Sequence, residues 1–277
     1  NAQALQLKSG EIDLALLDPK NAKDFTDKEG YTCYDMTTAD YRGILFNFWN
    51  DYWTENRDLI PAICYGIDRQ AIIDSVLLGQ GMAAYGPLQR NIYNDSDVEH
   101  YDYDPEKAKA LLEEAGWDGS QTIRFYVNSG DSTFVNAASI IAAEWAAVGI
   151  KAEIQTVDFA TLMSVAGTED YDVLAVQYTY APVDPYPDVA WLLGGEGSWT
   201  GYSDDTLNEA LTKSQLTSDP EETKELFSVV DKKVQEDVPM FSAYVISAQG
   251  AVSKRITGAA PSVYGFFNDV QNWDVVE

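Results

Sequence analysis

The stretch "TIRFYVNSGDSTFVNAASIIAAEWAAVGIKAEIQTVD", residues 122–158, decides the fold class of this chain. It opens with a strand pattern in which Ile123, Phe125 and Val127 alternate with more polar neighbours. Residues 132–148 then repeat apolar side chains at helical spacing, and a glycine follows them. A second strand pattern closes the stretch. Together these patterns predict a strand–helix–strand crossover between parallel strands.

The same alternation continues beyond this stretch. "FATLMSVA", residues 159–166, predicts a short helix, and "YDVLAVQYTY", residues 171–180, predicts a third strand. Upstream, "YDPEKAKALLEEAGW" places Asp104 at the N-cap of a helix and Pro105 at its first position. The order β-α-β-α-β, with crossovers of this length, predicts the α/β fold class.

The outer segments are less regular. Residues 1–9 predict a helix, 12–17 a strand, 21–28 a short helix and 31–37 another strand, and a further buried strand runs through Phe46 and Phe48. In the last third, Asp204 or Ser203 opens one helix, and the pair Asp219-Pro220 opens another. "PMFSAYVISAQGAVS", residues 239–253, predicts two short strands.

Composition excludes several classes of function. The chain has 277 residues, with 18 Lys+Arg against 45 Asp+Glu and a net charge of −27. Such a field repels phosphate backbones, so we expect no nucleic-acid partner. One histidine and 2 cysteines leave little material for a histidine-based metal site or a Ser-His-Asp triad. We therefore expect no cofactor.

An acidic loop loosely resembles a calcium-binding loop. Asp95, Asp97 and Glu99 supply carboxylates, but His100 stands where that pattern requires a glycine for its sharp turn. We interpret the segment as a solvated loop and predict no metal site.

The third strand leads directly into a candidate ligand site. Ligands of open α/β sheets bind beyond the carboxyl ends of the strands, and this strand ends at Tyr180. Residues 178–191 are therefore a site candidate. The alternative is that Tyr178 packs into the core, while Tyr180 and Tyr186 lie on the surface of a turn and bind no ligand. The sequence leaves both interpretations open.

A secreted glycosidase is the enzyme hypothesis to weigh. It requires two carboxylates facing each other across the scissile bond. Asp184, Asp188 and Glu196 are available, but no spacing singles out a pair among the many acids. We expect no enzymatic activity.

Several segments, taken in chain order, resemble one protein family. They are "ALQLKSGEIDLA" (4–15), "ILFNFWN" (44–50), "AICYGIDRQAIIDSVLLGQG" (62–81), "YDPEKAKALLEEAGW" (103–117), "AVGIKAEIQTVD" (147–158) and "YDVLAVQYTYAPVDPYP" (171–187). The chain resembles the family 5 solute-binding proteins of peptide-type ABC importers, a family that includes oligopeptide-, dipeptide- and nickel-binding proteins.

The resemblance implies a two-lobed architecture. It predicts a class II periplasmic-binding-protein-like lobe, with a mixed sheet flanked by helices, plus part of the other lobe. Members of the family are usually near twice this length, so the chain resembles their C-terminal half. Residues 1–48 would belong to the first lobe, 49–243 to the second, and 244–277 would return to the first. Lobes of this kind close on ligand by a hinge.

The resemblance also implies ligand-binding residues. Tyr178 matches the aromatic residue that opens the family's ligand segment, and Asp184 with Pro185 matches its acid–proline pair. The aspartate that grips a peptide's α-ammonium falls at Ala181, which forms no ion pair.

The remaining contacts would come from strands and aromatic side chains. Main-chain groups of Gln177 and Thr179 would pair with an extended peptide, and Tyr180, Trp199 and Tyr244 would wrap the ligand. A peptide is the expected solute, with an oligosaccharide as the alternative. The expected partner is a membrane permease, and the expected location is extracytoplasmic, in the periplasm or lipid-anchored at the cell surface. We expect a monomer.

Overall fold

The computed structural model describes residues 2–89, 91, 93–95, 97–179, 184–194, 197–260, 267 and 269–276. The chain divides into two compact units. The smaller unit is drawn from Asn1–Ala39, Ile73–Met82 and Val245–Glu277, and the larger from Asp40–Ile72 and Ala83–Tyr244. The larger unit contains the whole stretch 122–158 from which the fold class was predicted.

Strands and helices alternate through most of the chain. The strands are β1 (Leu14–Leu17), β2 (Tyr31–Phe46), β3 (Gly81–Ala83), β4 (Thr122–Asn128), β5 (Lys151–Val157), β6 (Val173–Thr179), β7 (Met240–Ser253), β8 (Ile256–Thr257) and β9 (Asp274–Val275). The helices are α1 (Ala2–Ser9), α2 (Pro19–Ala22), α3 (Asp51–Glu55), α4 (Leu59–Tyr65), α5 (Arg69–Val76), α6 (Pro105–Glu114), α7 (Ser132–Ala147), α8 (Phe159–Val165), α9 (Tyr186–Leu193), α10 (Asp205–Ser214) and α11 (Pro220–Asp237). Among the described residues, no helix is both long and apolar enough to cross a membrane.

The larger unit is built on a mixed sheet. β4 pairs in parallel with β5 along its length and with β6 at Phe125–Val173 and Tyr126–Leu174. β2 pairs antiparallel with the other edge of β6. The strand order in this unit is β7-β2-β6-β4-β5. The predicted β-α-β-α-β unit and the α/β fold class are confirmed, with α7 and α8 as the crossover helices.

Aspartate caps start the helices as the sequence predicts. Asp104 Oδ1 accepts a hydrogen bond from the Lys107 amide at 2.9 Å, and Pro105 occupies the first helical position of α6. The same arrangement begins α11 at Asp219 and Pro220. These caps satisfy amide groups that have no partner inside the helix, which explains why the boundaries were predictable.

Two long strands differ from the prediction. Residues 31–46 form one strand, β2, where two were expected, and 240–253 form one strand, β7, where two short strands were expected. In β7, Gly250 pairs with Leu16 of β1 in an antiparallel ladder. Cross-strand pairing therefore keeps β7 continuous through this glycine.

Each unit has its own apolar core. In the smaller unit, α1 and β1 contribute to a cluster of buried residues: Ala4, Leu7, Ala15, Leu17, Ala22, Phe25 and Ala251. In the larger unit, α7 buries Trp145 against Phe125 of β4, with ring centroids 5.6 Å apart. The Trp145 Nε1–H donates to the Ile63 carbonyl at 3.1 Å, so this indole is both packed and hydrogen-bonded.

One carboxyl group in the larger unit is buried in an unusual setting. Asp231 of α11 is 1% exposed, and its Oδ2 accepts the Asp95 amide at 3.2 Å. Oδ1 finds no hydrogen-bond partner in the part of the chain that the structure describes. Burial raises the pKa of Asp231 to about 7, and the neighbouring Asp95 charge adds to the rise. The native state therefore holds a proton on Asp231 that the unfolded state releases near pH 4.

Replacing this group with its neutral isostere should change how stability depends on pH. Because the native pKa lies above the unfolded one, the free energy of unfolding should fall as pH rises between about 4 and about 7. Asp231→Asn should abolish this pH-dependent loss of stability, which amounts to about 2–4 kcal/mol. Relative to the wild type, the free energy of unfolding of the variant should therefore be higher at about pH 8 than at about pH 4. Urea unfolding across this pH range measures it, with exposed Asp205→Asn as control. If the free energy of unfolding of Asp231→Asn changed with pH in parallel with that of the wild type, the raised pKa of Asp231 would be contradicted.

Candidate functional site

A cavity of about 340 Å³ opens in the larger unit where β6 ends. Side chains from β2, β4, β6, α7 and α8 line it, together with the loop after α9. The lining residues are Arg42, Asn128, Asp131, Phe134, Phe159, Leu162, Met163, Ala175, Val176, Gln177, Tyr178, Thr179 and Trp199. The cavity is therefore at the carboxyl end of the parallel strands, the edge at which ligands of such sheets bind.

The backbone of β6 contributes an edge to this cavity that is not fully paired with β4. The pairing of β6 with β4 comprises Phe125–Val173 and Tyr126–Leu174, while β6 runs on to Thr179. Residues 175–179 line the cavity, and their pairing with β2 occupies only one edge of the strand. Within the described chain, the edge of β6 that faces away from β2 is thus not paired with β4 beyond Leu174. Such an edge can pair with an extended chain.

A charged group stands beside this strand. Arg42 of β2 pairs through its guanidinium with Asp131, the N-cap residue of α7, and its Nε lies 3.2 Å from Asp40 Oδ1. Gln177 Nε2 donates to Asp40 Oδ2 at 3.2 Å. The three charged side chains are between 11% and 23% exposed. Burial raises the pKa of Asp40, and Arg42 opposes that rise.

Aromatic side chains form the apolar part of the wall. Trp199 packs on Trp191 of α9 with ring centroids 4.2 Å apart. The Tyr171 hydroxyl donates to the Trp199 carbonyl at 2.8 Å, which anchors this loop to a buried residue. Phe159, at the start of α8, is 60% exposed although it is a large apolar side chain. An exposed phenyl ring beside a cavity is suited to contact with a ligand.

The structure places Tyr178 mainly in the core. Its ring stacks on Tyr41 at 5.1 Å, its hydroxyl shares a hydrogen bond of 2.6 Å with Ser242, and the residue is 5% exposed. The alternation of β6 instead exposes Gln177 and Thr179. Of the residues predicted to bind ligand, Gln177, Tyr178, Thr179 and Trp199 are brought together at the cavity.

The other predicted residues lie elsewhere. Asp184 lines a separate depression with Tyr93 and Phe227, and its Oδ1 accepts the Tyr186 amide at 3.1 Å. It therefore supports the turn that starts α9. Tyr180 and Ala181 lie outside the described residues, as does Glu196.

Tyr244 lies behind the cavity wall. The residue is 1% exposed and its ring lies 6.4 Å from that of Phe134, which lines the cavity. Among the described residues, its hydroxyl has no hydrogen-bond partner. Burial raises the pKa of this hydroxyl, and the neighbouring charges that act on it are Arg42, Asp131 and Asp40.

Tyr244→Phe should therefore not destabilise the unliganded protein. The substitution removes a buried hydroxyl that makes no hydrogen bond with any described residue, so the free energy of unfolding should stay constant or rise by up to about 1 kcal/mol. Urea unfolding of the two proteins provides the measurement. Tyr202→Phe is the matched control, because the Tyr202 hydroxyl donates to Asp237 at 2.6 Å and its loss should destabilise. A loss of stability in Tyr244→Phe equal to that of the control would show that its hydroxyl is partnered.

The sequence patterns did not identify several residues of this cavity. Asp131 carried a detectable signal, since "NSGDSTF" places an aspartate before a helical repeat, but that signal describes a cap. Arg42 is a charge inside the otherwise apolar run "YRGILF", and such a charge is a reason to look for a partner. The pattern that contains Phe159, Leu162 and Met163 is typical of any amphipathic helix, so it did not indicate a cavity wall.

The two carboxyl groups whose pKa is raised to about 7 do not line this cavity. Burial raises the pKa of Glu144 and of Asp231 to about 7, but neither side chain is part of the lining. Glu144 instead accepts the Asp68 amide at 3.0 Å. In the described part of the chain, no three His, Cys, Asp or Glu side chains gather at a spacing that holds a metal ion.

Comparison with known proteins identifies relatives that match most of the chain. The family model "Bacterial extracellular solute-binding proteins, family 5 Middle" matches residues 1–200. Heme-binding protein A of Haemophilus influenzae is 27% identical over 222 residues, covering 76% of this chain and 40% of that protein. Oligopeptide-binding protein AppA of Bacillus subtilis is 23% identical over 281 residues, covering 93% of this chain and 51% of that protein. The chain thus spans about half the length of these relatives, or less.

A solved structure shows the same fold. The ABC transporter substrate-binding protein CtaP of Listeria monocytogenes superposes with a TM-score of 0.92 at 22% sequence identity. The superposition covers 100% of this chain and 58% of that protein. The predicted periplasmic-binding-protein-like architecture is confirmed.

Proposed function

Because the chain belongs to family 5 of the bacterial extracellular solute-binding proteins, we propose that it is the peptide-binding part of a receptor that serves an ABC importer. The observation that carries this proposal is the edge of β6 from Ala175 to Thr179, which lines the cavity without pairing to β4. An extended peptide satisfies such an edge by main-chain hydrogen bonds, and the cavity walls then receive its side chains.

The cavity walls suit a peptide of mixed character. Phe134, Phe159 and Trp199 offer apolar contact, while Asn128 and Gln177 offer amide groups. Among the relatives, the one from Bacillus subtilis is named an oligopeptide-binding protein. A peptide is therefore the first candidate for the bound solute, and an oligosaccharide is included as the alternative ligand in the binding experiment.

The rest of the function follows from the family. We propose that the protein works outside the cytoplasmic membrane as a monomer, hands its solute to a membrane permease and catalyses no reaction. In this proposal residues 1–48 belong to the first lobe, 49–243 form the second and 244–277 return to the first. The residues that line the cavity lie within 49–243, with the exception of Arg42. Hinge closure of two lobes would then trap the ligand.

Calorimetry with the complete gene product tests the proposal. Trialanine and longer alanine peptides should bind, whereas maltotriose should not. A depsipeptide in which an ester replaces one backbone amide should bind at least about 3-fold more weakly, because it lacks a main-chain donor. Binding of maltotriose without any peptide would replace the proposal by the oligosaccharide alternative. Release of chromophore from chromogenic glycosides would contradict the non-enzymatic assignment.

A further inference from the structure

One part of the cavity lining is apolar and is not used by the main-chain pairing proposed for β6. Phe159, Leu162 and Met163 line the cavity from positions i, i+3 and i+4 of α8, so they share one face of that helix. Leu162 is buried, whereas Phe159 is 60% exposed and Met163 is half-buried. Trp199, also half-buried, lines the same cavity. We call Phe159, Met163 and Trp199 the apolar wall; a ligand that covers it removes apolar surface from water.

Local contacts hold the apolar wall in position. Asp158 caps α8, and its Oδ1 accepts the Thr161 amide at 2.9 Å, which fixes the backbone at Phe159, the first residue of the helix. The Trp199 amide donates to the Trp191 carbonyl at 3.2 Å, and the two indole rings pack with centroids 4.2 Å apart. A wall that is held in this way loses little conformational freedom when a ligand binds, so more of the contact energy appears as affinity.

The charged groups of the lining are engaged with each other. Among the described residues that line the cavity, the charged side chains are those of Arg42 and Asp131, and they form an ion pair. The Asp131 carboxylate also accepts the Phe134 amide at 3.1 Å. A polar side chain of a ligand would give up its water to enter next to the apolar wall, which offers it no hydrogen bond. An aromatic side chain pays no such penalty there.

We propose that the apolar wall receives an aromatic side chain of the peptide and that Phe159 is its specificity-determining residue. The inference rests on the proposed function, since the ligand is taken to be a peptide. Two of the three wall residues are aromatic, and pairs of aromatic rings gain free energy beyond the area that they bury. The thioether of Met163 also makes favourable contacts with rings and adapts its shape to them. The receptor should therefore select peptides that carry an aromatic residue.

The test compares tripeptides that differ in one side chain. The complete gene product is titrated by calorimetry with trialanine and with the three tripeptides in which one alanine is replaced by phenylalanine. At least one of these three should bind about 10-fold or more tightly than trialanine, because a phenyl ring becomes buried. Testing all three positions makes the result independent of how the peptide is placed along β6. Glutamine at the preferred position is the polar control and should bind within about 3-fold of trialanine.

Variants of Phe159 then assign the preference to the apolar wall. Phe159→Ala should reduce the gain from phenylalanine at least about 3-fold and leave the affinity for trialanine unchanged. Phe159→Tyr keeps the ring and should keep the gain. Leu216→Ala is the matched control, because it removes another apolar side chain that is 82% exposed and does not line the cavity. Both positions are on the surface, so the variants should fold like the wild type.

The outcomes separate this inference from the proposed function. If trialanine binds but no phenylalanine tripeptide gains about 10-fold, or if the glutamine tripeptide gains as much, the inference is overturned and the proposed function stands. A gain from phenylalanine that is unchanged in Phe159→Ala overturns the inference as well. If the wild type binds none of these peptides, the proposed function fails and the inference fails with it.

Discussion

Gly43→Ala should lower the free energy of unfolding by at least about 3 kcal/mol, one of the two largest effects expected here. Gly43 lies in β2, where it pairs with Val176 of β6 and faces the backbone of β7. A Cβ at this position would overlap the carbonyl oxygen of Phe241 and lie 3.1 Å from the carbon of that carbonyl. Because both partners are backbone atoms in a sheet, the clash is relieved only by moving a strand.

Urea unfolding measures this loss, and Gly130→Ala provides the control. A Cβ on Gly130 meets only the side chain of Asn128, at 3.3 Å, and that residue can turn aside. The control should change stability by less than about 1 kcal/mol. Equal, small effects at Gly43 and Gly130 would show that the approach of β2 to β7 is looser than described.

Arg69→Met should destabilise the larger unit by about 3–5 kcal/mol. The Arg69 guanidinium is buried, and it donates hydrogen bonds to three backbone carbonyl groups. Nε donates to the carbonyls of Ala84 and Ser242 at 2.9 and 3.1 Å, and Nη1 donates to that of Tyr101 at 2.8 Å. The guanidinium also lies 4.0 Å from the ring centroid of Phe241. Methionine fills the volume but leaves these carbonyls without donors.

The control for Arg69 is Arg57→Met. The Arg57 side chain is 43% exposed and lies 3.6 Å from Asp237, so its loss should change stability by less than about 1 kcal/mol. The midpoint of urea unfolding compares both variants with the wild type. A loss in Arg69→Met no larger than in Arg57→Met would mean that the buried carbonyls find other donors.

The sequence predicted the parts of the fold that local patterns determine. The alternation of Ile123, Phe125 and Val127 and the helical repeat of α7 are confirmed as β4 and its crossover, because each is amphipathic on its own. The cap at Asp104 is confirmed for the same reason. Arg69 lies within one of the segments that carried the family resemblance, but no local pattern indicates which carbonyls it binds.

Features that depend on distant residues were not predictable in this way. Arg42 and Asp131 are 89 positions apart, so no window of sequence shows that they form an ion pair. Tyr178 is aromatic and precedes a candidate site, yet whether it faces the core depends on Tyr41 and Ser242 from other strands. β7 continues through Gly250 because β1 pairs with it. Tertiary partners thus determine the details of the candidate site.

Hydrogen–deuterium exchange of the complete gene product with and without trialanine tests the central claim most directly, because it locates the bound ligand. If the cavity at the end of β6 is the peptide site, backbone amides in residues 175–179 and 128–134 should exchange more slowly when the peptide is bound. Peptides from β8 and β9 serve as an internal control and should be unaffected. Protection confined to the depression around Tyr93 and Asp184, with none in β6, would contradict this assignment.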